Sequence, residues 1–91
     1  MKDEGVGQQV RRHIASEVRA EIARQGRTVT SASILLGKSL QAMSDQCRAR
    51  SAFRPEELLI LANWLEVDVV KFLPPGYTLM VVRPDAARAA S

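Results

Sequence analysis

The chain has 91 residues, of which 46% are hydrophobic and only 4% aromatic, and its net charge at pH 7 is +3. This length allows one domain with one modest core of aliphatic side chains. We expect a cytoplasmic protein, since the sequence has no apolar run of the roughly 18 residues that span a membrane, no signal-peptide pattern, and a single cysteine, Cys47.

The first predicted element is an amphipathic helix over residues 8–25. Apolar side chains recur there at every fourth position, which places them on one face of a helix. They are Val10, Ile14, Val18 and Ile22. Gly26 is a typical helix stop, and it ends this pattern. We expect residues 1–7, which precede the pattern, to be flexible.

Two short helices separated by a tight turn are predicted next. Thr28 can cap a second helix, which Gly37 ends near residue 36. Ser39 can then cap a third helix over about residues 40–48. A helix that stops at a glycine and restarts within about three residues is set at a steep angle to the next helix. This turn is the most informative pattern in the chain.

Two further helices are predicted after a loop. Pro55 fits the first position of a fourth helix, whose leucines recur at helical spacing up to Leu65. Asp68 can cap a short fifth helix over residues 69–73, and the following Pro-Pro-Gly forces a turn. The expected fold is therefore all-α, with five helices within residues 8–73.

The segment 77–82 is rich in strand-forming residues, and we predict a β-strand there. A lone strand leaves its backbone N–H and C=O groups unpaired, so we expect it to pair with the same strand of a second chain across a two-fold axis. Residues 74–83 would then form a turn and a dimerisation strand. The interface residues would be Tyr77, Leu79, Met80, Val81 and Val82. The alternative is that Tyr77 and Leu79 pack back onto the chain's own helices. We expect the tail, residues 84–91, to be disordered.

Positive charge is concentrated around the glycine turn. Residues 26–54 carry five basic side chains and one acidic one, whereas residues 1–25 have a net charge of +1 and residues 55–91 of −2. A polyanion in contact with the turn segment would therefore be attracted to it.

Five helices with a glycine turn between the second and third resemble the Cro/lambda-repressor type of helix-turn-helix domain, over about residues 8–73. The residues that carry the resemblance are Arg27-Thr28, Leu36-Gly37-Lys38-Ser39, Met43-Ser44, the run from Glu57 to Ala62 with Leu65, and the segment from Val67 to Leu73. The resemblance implies a phage or bacterial transcriptional regulator, a Cro-like repressor. It would bind a near-palindromic double-stranded DNA operator as a homodimer, with the third helix in the major groove.

The resemblance also assigns roles to residues near the turn. Base edges would be read by Ser39, Leu40, Gln41, Ser44 and Asp45. Phosphates would be contacted by Arg27, Thr28, Lys38, Arg48 and Arg50. Gln41 is the strongest candidate for base reading, because its amide can bond adenine N6 and N7 together. Cys47 would be a plain buried thiol.

Several residues depart from the pattern of this family. Ile34 and Leu35 fall where polar surface is expected, and Leu40 and Asp45 fall where arginine or another polar residue is common. Either these apolar residues form an exposed patch for a protein partner, or the second helix is rotated so that Ile34 or Leu35 enters the core. The alternative function is therefore an antirepressor-like interaction module that keeps the helix-turn-helix fold but has lost base reading.

The sequence has no constellation typical of an enzyme. The one histidine, His13, lies on a charged helix face, and Cys47 has no histidine near it in sequence. No metal-ligand spacing and no glycine-rich phosphate loop is present. We therefore expect neither catalysis nor a cofactor nor a metal.

Overall fold

The computed structural model describes residues 5–78, which form four α-helices and one 3-10 helix. The elements in chain order are α1 (Val6–Arg24), α2 (Val29–Leu36), α3 (Leu40–Cys47), α4 (Pro55–Leu65) and the 3-10 helix (Val69–Phe72). The predicted all-α class is confirmed for residues 5–78, which contain no strand. Residues 79–82 of the predicted strand, and the tail, lie outside the described residues.

The predicted caps are present at the start of α2 and at the start of α3, the two helices that the glycine turn joins. The Thr28 hydroxyl oxygen accepts a hydrogen bond from the Ser31 backbone N–H at 3.0 Å, and the Ser39 hydroxyl oxygen accepts one from Ala42 N–H at 3.1 Å. Because each bond satisfies a helix N–H that has no partner within the helix, the caps define where α2 and α3 begin.

Two elements differ in extent from the sequence prediction. Helix α1 begins at Val6 rather than residue 8, with Gly5 in an extended conformation before it. The apolar periodicity does not predict a helix over Val6 and Gly7, because neither residue is buried. The predicted fifth helix is a 3-10 helix of four residues, ended before Pro74. A 3-10 turn closes its hydrogen bond over three residues, so it fits a segment too short for an α-helix.

The core lies where all five elements meet. Its largest fully buried side chains are Val18, Met43, Leu61, Leu65 and Phe72. Each of α1, α3, α4 and the 3-10 helix supplies at least one of them, so the burial of apolar surface holds these elements together. No helix of residues 5–78 combines the length and the apolar character that a bilayer crossing requires.

The orientation of α2 decides whether its apolar residues Ile34 and Leu35 lie on the surface or in the core. Ala32 is fully buried, whereas Ile34 is 74% and Leu35 39% exposed. The idea that α2 is rotated to bury Ile34 or Leu35 is therefore wrong. The small Ala32 side chain faces the core instead, and the half-buried Leu36 packs against the core from the end of the helix.

We expect Leu61→Ala to lower the free energy of unfolding by about 2–5 kcal/mol, because Leu61 is fully buried and its removal leaves a cavity. Leu59→Ala is the matched control on the same helix, and it should cost about 1 kcal/mol or less because Leu59 is 39% exposed. Urea titrations monitored by circular dichroism measure both. Equal losses in the two variants would contradict the described core.

Candidate nucleic-acid interface

The turn between α2 and α3 depends on the left-handed backbone of Gly37. Its φ is 67° and its ψ 34°, and its N–H donates to the Ile34 carbonyl at 3.1 Å. The Lys38 N–H donates to the Ser33 carbonyl at 2.9 Å. A residue with a Cβ atom would be strained by roughly 1–2 kcal/mol in this conformation. Glycine therefore ends α2 and redirects the chain toward Ser39, which starts α3.

The face of α3 that points away from the core carries the residues predicted to read bases. Met43, Gln46 and Cys47 are buried on the opposite face. The base-reading candidates that are exposed are Ser39, Leu40 and Gln41, and those that are half-buried are Ser44 and Asp45. All five are thus accessible to solvent, and no described segment encloses this face. Gln41 and Asp45 are joined by a hydrogen bond from the amide nitrogen to a carboxylate oxygen at 3.0 Å.

The predicted phosphate contacts separate into two groups. Arg48 and Arg50 are exposed at the C-terminal end of α3, and neither guanidinium is bonded to another residue among those described. The other three already have partners within the fold. Arg27 stacks 4.4 Å from the centre of the Trp64 ring, Lys38 pairs with Glu57, and the Thr28 hydroxyl caps α2.

The most connected carboxylate near the turn is Glu57, in the first turn of α4. One of its oxygens lies 2.6 Å from the Lys38 ammonium. The other accepts hydrogen bonds from the Gln46 amide and from the Arg54 backbone N–H, both at 2.9 Å. The carboxylate therefore ties the turn and α3 to the start of α4. Sequence reasoning missed this role, although the position of Glu57 three residues after the residue preceding α4 is typical of a capping box.

The surroundings of Glu57 shift its pKa. Burial raises the pKa of this carboxyl, but the hydrogen bonds from Lys38, Arg54 and Gln46, together with the Lys38 charge, outweigh burial. The pKa of Glu57 consequently lies below its ordinary value, and the carboxylate is ionised at neutral pH.

The C-terminal end of α3 is fixed by α1. The Arg19 guanidinium donates a hydrogen bond to the Cys47 carbonyl, one of the last carbonyls of α3, where a positive charge is also favourable to the helix dipole. Cys47 itself is 3% exposed, as expected for a buried thiol. Burial raises the pKa of the Cys47 thiol against the opposing charge of Arg19, so the thiol is neutral at pH 7.

The remaining predicted residues are placed as follows. Leu40 is 50% exposed and flanks the turn together with the exposed Ile34 and Leu35. Tyr77 is 45% exposed at the end of the described chain, and the other predicted interface residues lie beyond it. Within residues 5–78, no group of three or more His, Cys, Asp or Glu side chains is arranged to hold a metal ion.

No protein-family model, curated protein or solved structure matches this chain. Its function must therefore be inferred from its own residues and their geometry.

We expect Glu57→Gln to lower the free energy of unfolding at pH 7 by about 1–3 kcal/mol, since it removes the charge that pairs with Lys38. It should also flatten the acid dependence of stability. A carboxyl whose pKa is lowered by folding stabilises the protein above its unfolded pKa of about 4.3, and that stability is lost as the pH falls.

Denaturant titrations at several values between about pH 3 and pH 7 test this prediction. The matched control is Glu56→Gln, which removes an exposed carboxylate from the same helical turn. Because wild type and Glu57→Gln share all other carboxylates, including the buried Glu21, the difference between their profiles isolates Glu57. Superimposable acid profiles for these two proteins would contradict the role assigned to Glu57.

Proposed function

We propose that this chain is a transcriptional regulator that binds a specific double-stranded DNA sequence with α3 in the major groove. The observation that carries the proposal is the open outward face of α3, which presents Gln41 to solvent and ends at the exposed Arg48 and Arg50. With its side chains an α-helix is about 10–12 Å across, which fits a major groove about 12 Å wide.

In this proposal, the side chains at the two ends of α3 have different roles in DNA recognition. Ser39, Leu40 and Gln41 lie at the N-terminal end of α3. In a recognition helix, the residues at this end contact base edges. Arg48 and Arg50 lie at its other end, where they can bind the phosphate backbone. Backbone contacts supply affinity for any duplex, whereas contacts to base edges supply sequence preference.

The proposal includes a Cro/lambda-repressor type of fold and a homodimer. In this arrangement the 3-10 helix takes the place of the fifth helix, and the dimer would form through residues 77–82, of which 79–82 lie outside the described part of the chain. Two copies of α3 would then lie about 34 Å apart and meet successive major grooves of a near-palindromic operator. The proposed mode of action is repression.

Neutralising the two exposed arginines should weaken binding to every duplex sequence. We expect Arg48→Gln and Arg50→Gln each to reduce the slope of log K against log salt concentration by about 1. Fluorescence anisotropy with labelled random duplexes, from low to physiological ionic strength, measures this slope.

The matched control for this experiment is Arg24→Gln, which removes one charge from the last turn of α1, where Arg24 pairs with Glu21 and is not part of the outward face of α3. It should leave the slope unchanged. If the wild-type protein shows no salt-dependent binding to duplex DNA at low ionic strength, the proposed function is wrong.

A second candidate function is supported by the apolar side chains beside the turn. Ile34, Leu35 and Leu40 are 74%, 39% and 50% exposed, and a patch of this kind often marks a protein contact. The candidate is an interaction module that has this fold, binds another regulator and thereby blocks it, and does not read bases.

This alternative predicts that the wild-type chain captures a protein partner and that the double variant Leu40→Arg/Asp45→Arg does not. The variant places two positive charges on the face of α3, which would oppose an apolar contact and favour a polyanion. A pull-down with both proteins, and a DNA-binding assay on the same samples, measures the two effects together. Undiminished capture by the variant would contradict the interaction module.

A further inference from the structure

Two polar side chains on the outward face of α3 form a hydrogen-bonded pair. The amide nitrogen of Gln41 lies 3.0 Å from a carboxylate oxygen of Asp45, one helical turn further along. Gln41 is exposed and Asp45 is half-buried, so both can be reached from the solvent side. Among the described residues, neither side chain is hydrogen-bonded to a third one.

The hydrogen bond determines which way the Gln41 amide points. An ionised carboxylate can only accept hydrogen bonds, so the –NH2 end of the amide faces Asp45. In the flipped orientation the amide oxygen would face the carboxylate oxygen, and the two would repel each other. The carboxylate therefore selects one of the two amide orientations before any ligand is bound.

The selected orientation leaves the groups that recognise adenine free. The –NH2 group has two N–H donors, and only one is used by Asp45, so one N–H and the amide oxygen remain. Adenine offers the complementary pair in the major groove, an acceptor at N7 and a donor at N6. A side chain already held in a binding orientation loses less conformational entropy when it binds.

This pairing also gives a role to a charge that otherwise opposes DNA binding. A carboxylate close to phosphate groups is repelled by them, and Asp45 is the one acidic residue among residues 26–54. Its backbone carbonyl accepts hydrogen bonds from Arg50 N–H at 2.8 Å and Ser51 N–H at 3.4 Å, which do not depend on its side chain. The carboxylate itself is thus available for Gln41.

We infer that Asp45 is a positioning residue, which orients the Gln41 amide so that α3 prefers an A·T base pair at one position of its site. The inference rests on the proposed DNA-binding function. In this role Gln41 contacts the A·T base pair, and Asp45 acts through Gln41 without contacting a base itself.

The test is competition binding with duplexes that differ at a single base pair, taken from sites selected by the wild-type protein from a random library. Wild type should prefer adenine at one position, and Gln41→Ala should lose that preference. Asp45→Ala and Asp45→Asn should each reduce it about two- to fivefold, because alanine offers no acceptor and the asparagine amide can also donate to the Gln41 oxygen, so neither selects one orientation of Gln41. Both Asp45 variants should bind random duplexes more tightly, because each removes the same negative charge.

A double-mutant cycle distinguishes positioning from a merely structural effect. In the Gln41→Ala background, Asp45→Ala should cause no further loss of base preference. An unchanged adenine preference in Asp45→Ala, or an equal loss in both backgrounds, would overturn the inference while leaving DNA binding intact. Absence of salt-dependent duplex binding by wild type would instead overturn the proposed function. Circular dichroism of each variant verifies that α3 is still folded.

Discussion

The ion pair between Lys38 and Glu57 connects the glycine turn to the start of α4, and the presentation of α3 depends on that connection. Helices of eight residues are not stable alone in water, so α2 and α3 need contacts with the rest of the fold. The burial of Met43 and the bond from Gln46 to Glu57 hold the inner face of α3. Because the buried residues of α3 all lie on its inner face, its outer face stays accessible to solvent.

The same contacts divide four of the five positive charges of the turn segment into two classes. Lys38 and Arg27 are occupied by Glu57 and Trp64, so they stabilise the fold near the turn. Arg48 and Arg50 have no partner among the described residues. A net charge counted along the sequence therefore overstates the charge that a bound polyanion would meet, and the cations still available are gathered beyond the C-terminal end of α3.

The two candidate functions share one surface but use different atoms of it. The proposed DNA recognition would use the Gln41 amide and the arginines, which are polar and long enough to reach into a groove. A protein partner would use the exposed Ile34 and Leu40, whose burial is favourable only against another apolar surface. The hydrogen bond from Gln41 to the Asp45 carboxylate would help base reading, and it would contribute nothing to an apolar contact.

The sequence by itself determined where the helices and the glycine turn lie, because these depend on interactions over three or four residues. The caps at Thr28 and Ser39 and the stop at Gly37 are of this kind. Only the tertiary structure decided that Ile34 is exposed, and that Lys38 pairs with a residue 19 positions away. Such contacts depend on how the helices pack, and short-range patterns in a sequence carry no information about the partner that each face meets.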